Sequence, residues 1–106
     1  MKEFTAIYCR LANTDGSGIR CQEDTLRHYA EDNGCTNIKV YIDNGFSGLT
    51  PNRPAFEALN TDIGLGKVET VIVRDFTRIG RNIQTIYGWL SYLEQHSVSL
   101  ITILNN

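Results

Sequence analysis

Phe4-Thr5-Ala6-Ile7-Tyr8-Cys9-Arg10 is apolar almost throughout and ends on a charge. A short run without alternation fits a central strand covered on both faces, since a strand with one wet face places a polar residue at every second position. Thr70-Val71-Ile72-Val73 has the same character and leads into Arg74 and Asp75. After the first run comes a turn, Asp15-Gly16-Ser17-Gly18, and then Ile19, Gln22, Leu26, Tyr29 and Ala30 recur at helical spacing up to Gly34. A glycine in the left-handed region commonly stops a helix, so the first helix is expected over residues 19–33.

Residues 37–43 alternate, with Ile38, Val40 and Ile42 on one side and Lys39 and Tyr41 on the other, the pattern of a more exposed edge strand. Asp43-Asn44-Gly45 closes it as a turn. Pro54 suits a first helical position, and Phe56, Leu59 and Ile63 make a short helix that stops at Gly64. A long helix is expected over residues 79–96 and a last strand over residues 99–104. Ile79, Ile83, Ile86, Tyr87, Leu90 and Leu93 form the expected core stripe of that helix. Trp89 and Tyr92 fall off the stripe and suggest contact with another subunit or with a further chain segment.

Strands and helices alternate, so the expected fold class is α/β: a three-layer α/β/α sandwich around a mainly parallel four-stranded sheet. Placing the two apolar strands in the middle gives the order 2-1-3-4, with the reversal between the first and third strands. Open sheets of this kind bind ligands beyond the carboxyl ends of their strands at that reversal. The residues found there are Arg10 from the first strand, Asp43 followed by Ser47 and Arg53 from the second, and Arg74 and Asp75, then Arg78 and Arg81, from the third.

With 106 residues the chain has room for one domain. Ten Lys and Arg against 12 Asp and Glu, for a net charge of -2, exclude a chain that is basic all over. The basic residues are nevertheless mostly arginines: 10, 20, 27, 53, 74, 78 and 81, against lysines at 2, 39 and 67. Arginine is preferred where a planar fork grips an oxyanion, although arginines in weak surface ion pairs are common. Several guanidinium groups gathered on one rim would repel one another unless a polyanion binds there, so the convergence is what points to function. Arg78 and Arg81, three apart at the start of the long helix, are expected on one face beside the positive end of its dipole, a cradle for phosphate.

Other chemistries find less support. Cys9, Cys21 and Cys35 have neither disulfide-framework nor Cys-x-x-Cys spacing and read as reduced side chains. His28 and His96 lack spaced ligand partners, so no metal site is expected, and no cofactor. Gly64-Leu65-Gly66-Lys67 lacks the Ser or Thr after the lysine and precedes a strand, so it reads as a helix stop and turn and not as a nucleotide-phosphate loop. No apolar run is long enough to span a bilayer, and a cytoplasmic location is expected.

Three blocks in order resemble the catalytic domain of the serine recombinases, the resolvase and invertase group, and more closely the large members that act as transposases and integrases of mobile elements. They are Ile7-Tyr8-Cys9-Arg10-Leu11-Ala12; Asp43-Asn44-Gly45-Phe46-Ser47-Gly48 with Arg53-Pro54 behind it; and Val71-Ile72-Val73-Arg74-Asp75-Phe76-Thr77-Arg78-Ile79-Gly80-Arg81-Asn82. With Gln22, the resemblance covers essentially the whole chain and implies a resolvase-like fold. It also implies metal-free phosphoryl transfer, in which a serine hydroxyl attacks a DNA phosphodiester and leaves a 5'-phosphoserine and a free 3'-hydroxyl. The implied partners are DNA and further copies of the chain, from dimer to tetramer.

Carried over by position, Arg10 would bind the scissile phosphate, and Arg78 and Arg81 would stabilise the transition state. Arg53 and Gln22 would support them, and Ser47 would be structural. The departure is at position 12, where the family's nucleophilic serine is replaced by Ala12. A methyl group cannot attack phosphorus, so this chain is expected not to cleave DNA. The remaining motif residues are intact, which favours an engineered replacement over a natural loss. Thr77 departs more mildly, since small resolvases carry Asp there. The expected unit is a catalytic domain ending before the long dimer helix and the DNA-binding regions. The alternatives are a non-catalytic nucleic-acid-associated or oligomerisation module of the same fold, and a flavodoxin-like small-molecule binder, which the lack of a Ser- and Thr-rich loop after the first strand disfavours.

Overall fold

The computed structural model describes residues 3–11, 17–35, 37–44, 53–76, 79–80 and 82–103. The elements are β1 (Phe4–Leu11), α1 (Ser17–Asp32), β2 (Ile38–Asn44), α2 (Pro54–Gly64), β3 (Val68–Val73), α3 (Ile83–Gln95) and β4 (Ser99–Thr102). The sheet has the order β2-β1-β3-β4 and every neighbouring pair is parallel, as the strand patterns predict.

The apolar character of β1 follows from its central place. Ile7 and Cys9 point to one face, where they meet Ile72 and the α1 residues Leu26 and Ala30. Ala6 and Tyr8 point to the other and pack with Val71 and Val73 beneath Leu59 and Ile63 of α2 and Trp89 and Leu93 of α3. Both faces are dry, so no position in the middle of the strand is left for a solvated side chain. Each large aliphatic side chain buried this way contributes about 1.5–3 kcal/mol relative to exposure. Gly34 and Gly66, at φ of 82° and 77°, supply the left-handed turns after α1 and α2.

The edge strand β2 departs from its pattern. Ile42, on the aliphatic side, is 39% exposed, whereas Tyr41 and Asp43 on the opposite side are buried. The reason is α2, which lies over the Tyr41 side. There the Tyr41 hydroxyl donates to Asp62, the Lys39 ammonium lies 3.1 Å from the same carboxylate, and Lys39 covers the Phe4 and Tyr41 rings.

The third helix differs more. It begins at Ile83, not Ile79, because the Asn82 side chain accepts from the Gln84 amide at 2.7 Å and caps it. Ile79 is fully buried but sits in a turn closed by its amide on the Phe76 carbonyl. The buried stripe is rotated by roughly a quarter turn from the expected one. Trp89 is buried and Tyr92 half-buried, while Ile83 and Tyr87 are exposed. Two hydrogen bonds turn the helix this way: the Trp89 indole donates to Asn60 Oδ1 at 2.7 Å, and the Tyr92 hydroxyl to the Asn60 carbonyl at 2.9 Å. The two aromatics read as an intermolecular contact therefore join α3 to α2. The last strand is also shorter than expected, ending at Thr102.

Candidate active site

The parallel register sets Arg10 of β1 level with Asp43 of β2 at the carboxyl end of the sheet. Arg10 is 6% exposed and Asp43 is fully buried. A buried carboxylate is costly unless donors surround it, and Asp43 has them. It accepts from the Tyr8 hydroxyl at 2.8 Å, from the Ala55 amide at 2.9 Å and from the Phe56 amide at 3.0 Å.

Those two amides belong to the first turn of α2. The residue at the cap position, Arg53, makes no side-chain cap, and Pro54 follows it without an N–H. Asp43 thus caps α2 from a neighbouring strand, with its charge at the positive end of the helix. Arg53 is released from capping, and its guanidinium lies over the Phe56 ring, 4.2 Å from the centroid. The same ring contacts Tyr8 at a centroid distance of 5.2 Å and Trp89 at 5.5 Å.

Burial and the adjoining Asp43 carboxylate push the Tyr8 phenol well above its ordinary pKa, while the positive charges of Arg53 and Arg10 pull it down. Both positive charges therefore act electrostatically on the same buried hydroxyl, that of Arg10 from β1 and that of Arg53 from the start of α2. At this end of the sheet a buried carboxyl side chain stands level with Arg10, immediately before position 12 in the chain.

Of the site residues expected from the sequence, Arg10 lies level with Asp43 in the sheet, and Arg53 stands at the start of the helix that Asp43 caps. Gln22 lies in α1, but its side chain, with Ala12, Ser47, Arg78 and Arg81, lies outside the described residues. The long helix starts at Ile83, and Ile79 and Gly80 precede it in non-helical backbone, while the expected cradle of Arg78 and Arg81 falls outside the described residues. Between them, Gly80 lies so close to α3 that an added Cβ would stand 3.3 Å from Thr85 Cγ2. Arg74, beyond β3, is exposed, and Asp75 is half-buried.

Tyr8 and Phe56 are the site members that the sequence reading did not single out. The signals were Tyr8 two residues before Arg10, hence on the same strand face, and Phe56 three residues after Arg53, hence above it on a helical turn. Among the described residues, no three His, Cys, Asp or Glu side chains gather as metal ligands, and no helix is long and apolar enough to cross a membrane.

A parallel 2-1-3-4 sheet with arginines and a buried carboxylate at its carboxyl edge defines a resolvase-like α/β domain. Residues 5–106 match the family described as "Resolvase, N terminal domain", and the chain belongs to that family. Solved structures agree. The N-terminal catalytic domain of TP901-1 integrase superposes with a TM-score of 0.83 at 32% identity, over 93% of this chain and 76% of that one. A resolvase family site-specific recombinase from Streptococcus pneumoniae gives 0.82 at 26% identity, over 96% and 72%. The C-terminal catalytic domain of ISC1926 TnpA, an IS607-like serine recombinase, shares the fold with a TM-score of 0.88 at 20% identity, over 96% and 68%. No curated protein matches the chain.

Proposed function

We propose that this chain is the catalytic domain of a site-specific DNA recombinase or transposase that cuts and rejoins strands through a 5'-phosphoserine, and that Ala12 renders it inert. The observation that carries this reading is the Tyr8–Asp43 hydrogen bond, level with Arg10 and tied to the helix that Arg53 precedes, at the strand end that leads into position 12. In the active form, the hydroxyl oxygen of a serine at position 12 attacks the phosphorus, the bond to the 3'-oxygen breaks, and that oxygen leaves as the 3'-hydroxyl. The phosphate remains on the serine, so its bond energy is conserved for rejoining. Arg10 holds the scissile phosphate, with Arg78 and Arg81 matching the charge that develops on its oxygens and on the leaving group. Arg53 and Gln22 support them, and Ser47 has a structural role. DNA and further copies of the chain are the proposed partners, and the cytoplasm the proposed location.

Restoring the nucleophile tests this. Ala12→Ser, made in the full-length protein and incubated with a nicked duplex containing the recombination site, should give protein covalently attached to a DNA 5' end, while the Ala12 form gives none. A folded Ala12→Ser protein that binds the duplex and forms no adduct would refute the reading. The residue at position 12 itself favours a second reading, a non-catalytic module of the same fold, which a genomic Ala codon at that position would support.

A further inference from the structure

Arg53 is held by an unusual route. It precedes α2, its guanidinium rests on the Phe56 ring at 4.2 Å, and the backbone amide of Phe56 is gripped by Asp43 at 3.0 Å. Tyr8 and Trp89 close on the same ring from two further elements, at 5.2 Å and 5.5 Å. The residue is therefore fixed through its backbone by one anchor and through its ring by two tilted aromatic contacts. An arginine side chain otherwise samples many rotamers, and ordering it costs conformational entropy.

We propose that Phe56 is a positioning residue: an aromatic platform, clamped by Asp43, that holds the Arg53 guanidinium in a fixed place facing the phosphate site. This rests on the reading that Arg53 supports phosphoryl transfer beside position 12. Phe56 contacts no substrate and moves no proton. It acts by removing Arg53's freedom before DNA arrives, so that the positive charge is already in place when the phosphate enters. An aliphatic side chain at position 56 would still fill the core beside Trp89, but offers no π face to a cation.

Two measurements decide it. In the Ala12 chain as it stands, the Arg53 side-chain Nε–Hε resonance should be displaced upfield by the ring current of Phe56. Phe56→Leu should return it to the position of a free arginine, and Phe56→Tyr should keep it displaced. In the Ala12→Ser background, at a temperature where all variants are folded, Phe56→Leu should slow adduct formation at saturating DNA about 10-fold, within the range that misplaced groups cost. DNA affinity should stay unchanged, and Phe56→Tyr should restore the rate. An Arg53 resonance indifferent to Phe56→Leu would overturn the platform, as would a lost ring-current shift with no change in rate. If no Ala12→Ser chain forms adduct, Phe56 included, the recombinase reading fails and takes the catalytic half of this proposal with it. The Arg53 resonance still decides whether the ring holds the guanidinium.

Discussion

The Tyr8 hydroxyl donates to the Asp43 carboxylate at 2.8 Å, joining the central strand to the edge strand near the carboxyl end of the sheet, where Arg10 lies level with Asp43. The carboxylate also holds the first turn of α2, so one buried side chain fixes three elements around the site. Asp43→Ala removes that acceptor from three donors at once. It should destabilise the fold by about 2–3 kcal/mol in urea unfolding, the cost of a lost cap with buried donors left unpaired. Asp43→Asn should cost less, since its oxygen still accepts one amide, and a loss below measurement error for Asp43→Ala would disprove the tie.

The rotation of α3 gives a contrast between its two faces. Ile83 and Tyr87 are about two-thirds exposed, at 66% and 65%, so truncating either to Ala should change stability by no more than ~0.5 kcal/mol. Trp89→Ala should cost about 3–5 kcal/mol, as large buried aromatics do. Trp89→Phe, which loses the indole bond to Asn60, should cost about 1 kcal/mol. The reverse ranking would restore the helix face expected from the aliphatic stripe.

Gly80 lies against α3, where an added methyl group would meet Thr85 Cγ2 at 3.3 Å, a few tenths of an ångström too close. Gly80→Ala should lose about 1 kcal/mol through overpacking. Thr85→Ala in the same chain should recover most of it. A double-mutant cycle in thermal unfolding reads the coupling, and strict additivity would show that the contact is not limiting.

Two buried phenols set the behaviour in alkali. Burial, then hydrogen bonding to Asp43 and Asp62 respectively, raises Tyr8 and Tyr41 above the ordinary value of 10.0. Their folded-state pKa values exceed the unfolded ones, so the folded chain binds these protons more tightly. The resulting stability is complete below pH 10.0 and falls as the pH rises towards the folded values. Asp62 is shifted the other way, lowered by the Tyr41 hydroxyl first and by Lys39 after it. Its contribution is present above the ordinary carboxylate value of 3.8 and is lost as the pH falls further. Unfolding midpoints followed across both ranges should show a fall at each end, with Tyr41→Phe flattening the alkaline fall.

The strand order was legible because the two strands covered on both faces have to be apolar on both, and the sequence shows this at Phe4–Cys9 and Thr70–Val73. Arg10 and Arg53 could be placed at one edge because parallel strands all deliver their carboxyl ends to the same side. The face of α3 could not be read from periodicity. Its aliphatic residues outnumber its aromatics, and what turns it is a polar partner, Asn60, from an element distant in sequence. The Asp43 cap was hidden for a similar reason, since caps are sought in the residue beside the helix and this one comes from another strand. The aliphatic side of β2 misleads for want of the same information, because hydropathy does not say which face α2 covers.

The most direct measurement uses the inertness expected of Ala12, which should let an uncut duplex stay bound. A crystal structure of the full-length protein with a duplex carrying the recombination site should show one phosphate beside Ala12, with the guanidinium groups of Arg10 and Arg53 both within hydrogen-bonding distance of its oxygens. A scissile phosphate bound elsewhere, with Arg10 and Arg53 turned away from it, would contradict the account.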